Sequence, residues 1–359
     1  MPKVSLIFPC YNAEAVVIRR IRNIIKNTLY ENYEIIAIDD GSVDNTYREI
    51  IQKFRNNKRV KVYSNKKNLG VAATKNVGIK KSSGKYVSFL ETDMEVGKGW
   101  LKPLVETLES NNNLAGAQSK ILDFRHRNLI QMCGLMFITH TFWVINRGLS
   151  QHKRMFVEKE ITGIGTGGST LRKSVLNKIG YYDEKTEYSQ GDADSNWAIW
   201  MLGYKTITVP ESIIYHVTGK SSKQSNVAGL KREFHFHKTP RVFLKNYEIK
   251  NILKYMPQLY LIYIARIVKN AYHGNFKPFI GMLMATVWNL VILPDTLRRR
   301  RYIQKIRKVS DKKIIDAICV RGNFIEIYKK QLRPILASYT SSDSSNALLM
   351  LSKIKFKNI

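Results

Sequence analysis

From Val4 to Leu90 the chain alternates short, bulky apolar runs with helical spacing, and each run stops at a polar cluster. Val4-Ser5-Leu6-Ile7-Phe8 ends at Pro9, and Val16, Val17, Ile21, Ile24 and Ile25 then recur at the period of a helix. Tyr33–Ile38 is the next apolar run and ends at Asp39-Asp40-Gly41-Ser42. After it Asp44 can cap a helix carrying Tyr47, Ile50, Ile51 and Phe54. Val60–Tyr63, a helical Val71–Ile79 and the run Tyr86–Leu90 complete the pattern. Continuous apolar strands separated by helices predict a mainly parallel sheet with helices on both faces. Ligands of such sheets bind beyond the carboxyl ends of the strands. The polar clusters after Phe8, Ile38 and Leu90 all fall at that edge.

Past Glu95 the pattern is less regular. A helix is expected from Trp100 to Glu109, with strands at Leu114–Ser119, Leu135–Ile138, Thr206–Val209 and Ile213–His216. A different region begins near Lys220, helical in pattern and strongly basic. Of 59 Lys/Arg and 28 Asp/Glu, residues 1–219 hold 31 and 21, which leaves 28 against 7 in residues 220–359. Such a charge calls for an anionic partner such as phospholipid head groups, nucleic acid or a phosphorylated substrate. No helix-turn-helix, zinc-finger or RNP pattern supports nucleic acid. Residues 279–293 are apolar, fenced by Pro278 and Pro294 and followed by Arg298-Arg299-Arg300-Arg301. That stretch is at or just below the length of a spanning helix and suits one lying in an anionic membrane surface, or one buried on the α/β part. The expected division is 1–221, 222–337 and a basic tail, 338–359.

Cys10, Cys133 and Cys319 are far apart and lack CxxC spacing, which argues against a disulfide framework or a zinc site. No secretory signal follows Met1, so a cytoplasmic location is expected, at the inner membrane face.

Three clusters carry chemistry. Tyr11, in Pro9-Cys10-Tyr11-Asn12, can stack on a base. A carboxylate in Asp39-Asp40-Gly41-Ser42 can accept the imide N–H of uracil or thymine. Glu91-Thr92-Asp93-Met94-Glu95 can hold a hard divalent cation that bridges a diphosphate. Each alone is weak; at neighbouring strand ends they describe a nucleotide cleft.

Together with Asn68-Leu69-Gly70, Asn76 and Gly191-Asp192-Ala193-Asp194, these segments resemble the ordered signature of family 2 glycosyltransferases over about residues 3–221. The resemblance implies the GT-A fold, a Rossmann-like mixed sheet flanked by helices, and inverting transfer from a nucleotide-sugar donor with Mg2+ or Mn2+. UDP or dTDP is the favoured nucleotide, with GDP open. It further implies that Pro9, Tyr11, Asn12 and Asp40 line the base site and that Glu91 or Thr92 lies near the ribose and phosphates. Asp93 becomes the metal ligand, with His216 completing the coordination or contacting the diphosphate, and Asp192 the catalytic base. Gly163–Ser169 and Ile179–Glu184 are similar to the family's acceptor-side elements, and Lys220, Ser221 and Ser222 follow His216 as possible phosphate binders.

Several positions depart from the family pattern. Glu91-Thr92-Asp93 stands for Asp-x-Asp. Lys75 stands where Arg is common; it can assist the phosphates but cannot make a bidentate contact. Gly191 replaces the usual Glu, and the Arg usual later in that helix is missing. A Gln-x-x-Arg-Trp element is also missing, which argues against a processive synthase. The expected acceptor is a hydroxyl of a glycan or lipid-linked glycan. The competing readings are a polyprenyl-phosphate sugar synthase, a non-catalytic phospholipid- or nucleic-acid-binding protein, and a nucleotidyltransferase. The last should carry a glycine-rich basic loop after its first strand, and Pro9–Glu14 is not one. Trp197 and Trp200 read as core.

Overall fold

The computed structural model describes residues 1–137, 139, 144–145, 149–150, 161–186, 189–217 and 229–319. Lys220-Ser221-Ser222, expected to bind phosphate, and the expected basic tail from 338 lie outside the described residues.

Strands β1 (Val4–Cys10), β2 (Tyr33–Asp39), β3 (Val60–Ser64) and β4 (Tyr86–Phe89) run parallel in the order β3-β2-β1-β4. Helices α1 (Val17–Asn27), α2 (Thr46–Phe54) and α3 (Val71–Lys81) connect them. β1 and β2 read as unbroken apolar runs because both faces are covered. Ile7, Ile36 and Ile38 enter one core, while Leu6, Phe8, Ile35 and Ala37 enter the other. α3 lies close against the first face, where a Cβ on Gly78 would stand 2.4 Å from Ile7 Cγ2. The strand order reverses at β1, so the ends of β1 and β4 flank a topological switch point.

Beyond β4 the sheet becomes mixed. After β5 (Met94–Val96) and α4 (Leu101–Ser110) comes β6 (Leu114–Asp123), which pairs antiparallel with β7 (Leu129–Met132). A small antiparallel pair, β8 (Met136–Phe137) and β9 (Val144–Ile145), is followed by β10 (Leu149–Ser150) on β7. β11 (Ser169–Arg172) lies between β4 and β6, antiparallel to both. After α5 (Lys173–Lys178) and α6 (Ser189–Met201), β12 (Lys205–His216) runs parallel to β6, and its end pairs with β5. The two short strands expected at 206–209 and 213–216 are thus one strand, interrupted by a register shift between Val209 and Ile213, where Pro210 removes a donor.

The basic region is helical throughout its described part: α7 (Leu230–Phe236), α8 (Thr239–Asn246), α9 (Ile249–Tyr272), α10 (Lys277–Val291), α11 (Leu293–Ile306) and α12 (Asp311–Ile318). Val242, Phe243, Tyr247, Ile303, Ile314 and Ile318 share one core with Trp197 of α6 and Ile7 of β1. Among the described residues no single helix is long and apolar enough to cross a membrane. α10 and α11 meet that test only jointly, bent by 65°. Cys10, Cys133 and Cys319 are buried.

Candidate active site

The switch point fixes where the chemistry gathers. Parallel pairing sets Cys10 beside Asp39 and Ile7 beside Phe89, so the polar clusters that follow the three strands meet at one edge. Tyr11 stands just past β1 and is 48% exposed, open to stacking, while Pro9 is still in the strand, opposite Ile38. Asn12 takes a left-handed turn (φ 45°) that Asn tolerates. Its Oδ1 accepts from Val43 N at 3.0 Å, and its own N–H donates to Ser42 Oγ at 2.9 Å. Asn12 therefore ties the β1 loop to the β2 loop.

The two acids after β2 divide. Asp40 Oδ1 accepts from Asn65 Nδ2 (2.8 Å) and Leu69 N (3.0 Å), and Oδ2 from Gly70 N (3.0 Å). That carboxylate, expected at the base, orders loop 65–70. Asp39 Oδ2 accepts from Ser64 Oγ at 3.1 Å, while its buried Oδ1 accepts no hydrogen bond among the described residues. Cys10 beside it is inert, since burial and then the Asp39 charge push its thiol well up.

At the end of β4, β12 returns to place His216 against Asp93, with Nε2 and Oδ2 3.2 Å apart. Gln131 Nε2 donates to Asp123 Oδ2 (2.7 Å) and to the His216 carbonyl (3.2 Å). Its Oε1 is thereby turned to His216 Nδ1, 2.6 Å away, which makes Nδ1 the donor. A neutral His216 then presents its Nε2 lone pair beside the Asp93 carboxylate. Two donor atoms facing each other at 3.2 Å fit neighbouring ligands of a hard cation bound at about 2.1 Å, with a carboxyl-oriented second partner behind the imidazole. The same pair forms a salt bridge when the imidazole is protonated. Among the described residues no group of three or more His, Cys, Asp or Glu converges as a metal cluster.

Arg20 supports this loop from behind. It is 3% exposed on the otherwise apolar stripe Val17, Ile21, Ile24 of α1. Its Nε donates to the Thr92 carbonyl at 2.9 Å and its Nη1 pairs with Glu95. Burial lowers the guanidinium's pKa, opposed by the Glu95 charge, and Asp93 also lies within its electrostatic reach. A buried Arg on a helix's apolar stripe is the sequence signal that would have found it.

The expected base lies nearby. Gly168 N donates to the Phe89 carbonyl at 2.8 Å, which carries the segment 163–168 across the end of β4. A Cβ on Gly167 would stand 3.6 Å from Glu91 Cδ. In this segment Thr166 N donates to Asp192 Oδ1 at 2.9 Å, and Thr166 Oγ1 bonds the same oxygen. Asp192 Oδ2 accepts no hydrogen bond among the described residues. Desolvation in the cleft raises the Asp192 pKa; Thr166 and the Lys75 charge oppose the shift, and the Glu91 charge adds to it. Lys75, buried in α3, pairs with Glu91 at 3.0 Å, so its charge is already shared with the acidic loop. Asn76, one residue on, grips the Tyr182 backbone with both ends of its amide (3.0 Å each), fixing the 181–184 turn on α3.

Asp194, two residues along α6, meets the opposite environment. Lys245 Nζ (2.5 Å) and Asn246 Nδ2 (2.6 Å) of α8 consume its carboxylate. A cavity of 240 Å³ opens beside it, lined in part by Lys245, Arg298 and Arg299, but these cations are paired with Asp183, Asp194 and Asp295. Trp197 and Trp200 are core residues.

The sequence profile described as Glycosyl transferase family 2 matches residues 5–180. The chain is similar to the UDP-Glc:alpha-D-GlcNAc-diphosphoundecaprenol beta-1,3-glucosyltransferase WfgD of Escherichia coli, 36% identical over 210 residues, 54% of this chain and 80% of that one. Other curated relatives are uncharacterized glycosyltransferases of Haemophilus influenzae and Rickettsia bellii, and the chain spans less than half of their length. Among solved structures, S. aureus TarS 1-349 in complex with UDP-GlcNAc is similar at a TM-score of 0.57 and 16% identity, over 98% of this chain and 89% of that one. GalNAc-T7 with UDP, GalNAc and Mn2+ is similar at 0.52 and 17% identity, over 72% and 54%. With the sheet order, the profile match and a relative covered over most of its length in agreement, the chain belongs to glycosyltransferase family 2 and has the GT-A fold.

Proposed function

We propose that the chain is an inverting, metal-dependent glycosyltransferase. It moves one sugar from a UDP- or dTDP-linked donor to a hydroxyl of a glycan or lipid-linked glycan at the inner, anionic face of a membrane. The observation that carries this reading is Asp192. Its carboxylate has one oxygen fixed by Thr166 and the other without a hydrogen bond among the described residues, on the edge that also holds the Asp93–His216 pair. The WfgD relative, named for a UDP-Glc donor and a diphosphoundecaprenol-linked acceptor, supports the donor and acceptor classes.

Tyr11 stacks on the base and the Asp39-Asp40 pair at the end of β2 supplies the carboxylate that accepts its imide N–H, with Asn12 tying the two loops together. Asp93 and His216 would hold Mg2+ or Mn2+, and the bound ion would supply Lewis-acid neutralisation of the diphosphate's charge. Asp192 takes the acceptor hydroxyl's proton as its oxygen attacks the anomeric carbon from the face opposite the diphosphate. Lys75 holds Glu91 in place, leaving a neutral pair beside the ribose and phosphates. Desolvation, which raises the Asp192 pKa, makes that carboxylate a stronger base than one in water.

The test is a donor screen on purified protein, following nucleotide-sugar turnover with and without Mn2+. Release of the nucleoside diphosphate that depends on the metal and on Asp192 is expected. A chain that binds and turns over no nucleotide sugar ends this reading. Transfer that survives Asp192→Asn at full rate points instead to an acceptor already ionised, such as a lipid phosphate.

A further inference from the structure

α10 is built inside out for a helix in water. The face it packs on the body is small: Pro278, Gly281 and Ala285. Gly281 is set so tightly on α7 that a Cβ there would stand 2.5 Å from Glu233 Cβ and 2.8 Å from the Glu233 backbone. Its large apolar residues point outward instead: Phe279, Ile280, Leu283, Met284, Val287 and Leu290 are each between 42% and 65% exposed. On α9, Leu253, Leu261, Ile264 and Val268 continue the same property along a helical stripe, at 51% to 71% exposed. Apolar surface gathered in this way on two neighbouring helices marks an interaction site.

Charge selects the occupant. Neither α9 nor α10 contains an Asp or Glu, while exposed Lys254, Lys269 and Lys277 border the apolar stripes, and Arg298 and Arg301 follow on α11. A second copy of the chain would bring the same cations face to face, whereas an anionic bilayer offers acyl chains to the stripes and phosphates to the rim. Length sets the pose. The 15 residues of α10 make about 22 Å of helix, short of the roughly 30 Å hydrocarbon core. α9 is long enough, but it carries Lys254, Arg266 and Lys269 and contains Pro257. Neither is a spanning element, and both have the composition of helices lying in the plane of the interface.

We infer that the outward faces of α9 and α10 form a seat in the interfacial region of an anionic phospholipid bilayer, with the basic residues at its rim on the head groups. The inference deepens the proposed function by naming the partner surface, and rests on that reading only for the claim that the acceptor is met there.

The experiment is co-sedimentation of the full chain with phosphatidylcholine vesicles that carry or lack phosphatidylglycerol, beside Leu283→Glu/Val287→Glu and Lys254→Glu/Lys269→Glu variants. Wild-type protein should bind the anionic vesicles. Both double variants should lose at least roughly tenfold in partitioning, and their nucleotide-sugar hydrolysis without acceptor should match wild type, which shows that they are folded. Binding that ignores the apolar substitutions and follows salt alone overturns the seat. So does a lipid-free dimer, seen by sedimentation velocity, that Leu283→Glu/Val287→Glu dissociates. If vesicles are bound as expected but no donor is turned over, the catalytic reading fails and the seat stands.

Discussion

Asp192 and Asp194 differ by two positions on one helix, and that difference decides their surroundings. Asp192→Asn should lower kcat by roughly a hundred- to ten-thousand-fold while leaving the donor KM near its wild-type value, because only proton removal is lost. Its raised pKa gives the sign of the pH dependence. The base works as the carboxylate, so kcat/KM should climb with pH through a limb lying above the ordinary value of about 3.9. That limb should vanish from the residual activity of Asp192→Asn. A wild-type limb at the ordinary carboxylate value would contradict the assignment. Asp39→Asn should raise the UDP-sugar KM with little change in kcat, whereas Asp40→Asn should loosen loop 65–70; steady-state kinetics and proteolysis of that loop separate the two. Gln131→Met leaves His216 Nδ1 without its acceptor and should weaken Mn2+ activation by roughly ten- to a hundredfold, read by metal titration. The sequence placed acids at the end of β2, but which one keeps an open oxygen depends on how the loop at 65–70 folds back, and no local pattern encodes that. Gln131 was illegible for the same reason, being far in sequence from the histidine it orients.

At the scale of elements, an ion-pair network clamps the C-terminal helices to the 181–184 turn and to α6. Arg241 of α8, fully buried, bonds Asp183 through Nε (2.9 Å) and Asp295 of α11 through Nη2 (2.7 Å), and Lys245 bridges Asp183 and Asp194. Burial works to raise the Asp183 pKa, but Lys245 and Arg241 outweigh it and hold the carboxyl well below the usual range. A depressed carboxylate contributes stability above its unfolded pKa of about 3.9, and the contribution is lost as pH falls through the folded value. Acid should therefore release this clamp only below about pH 4. Asp183→Asn leaves two buried cations under-compensated and should cost roughly 3–5 kcal/mol, measured by urea unfolding at neutral pH. A loss within that of a surface substitution would mean the network is not a clamp. The elements of the first half were legible because each strand is buried on both faces and each helix shows one apolar stripe. In the second half the Pro210 bulge made one strand read as two. β5, only three residues long, exists because β12 pairs with it, a long-range fact that periodicity cannot carry.

For the whole molecule the question is whether the division near residue 221 is one of folding or only of composition. Charge and hydropathy change sharply there, but the described core does not. Trp197 of α6 is fully buried, packs edge-on against Tyr247 with ring centroids 4.7 Å apart, and points its indole N–H at Asp311 of α12. Removing residues 230–359 would bare that indole together with Ala193, Ala198 and Met201, on the same helix that presents Asp192. It would also leave Asp183 and Asp194 without the cations that compensate them. Burial on that scale is a large fraction of the few kcal/mol by which domains are stable. The truncated chain should therefore fail to give a cooperative transition or a dispersed NMR spectrum. The full chain should unfold in a single calorimetric transition, with matching calorimetric and van't Hoff enthalpies. Two separated transitions, or a folded and active 1–229 fragment, would show that the basic helices are an appendage. If the transition is single, the base on α6 and the apolar faces of α9 and α10 belong to one folding unit. A catalytic helix stabilised by the helices that carry the proposed membrane seat would keep its orientation to the acceptor's surface fixed by the fold, with no flexible linker to search through.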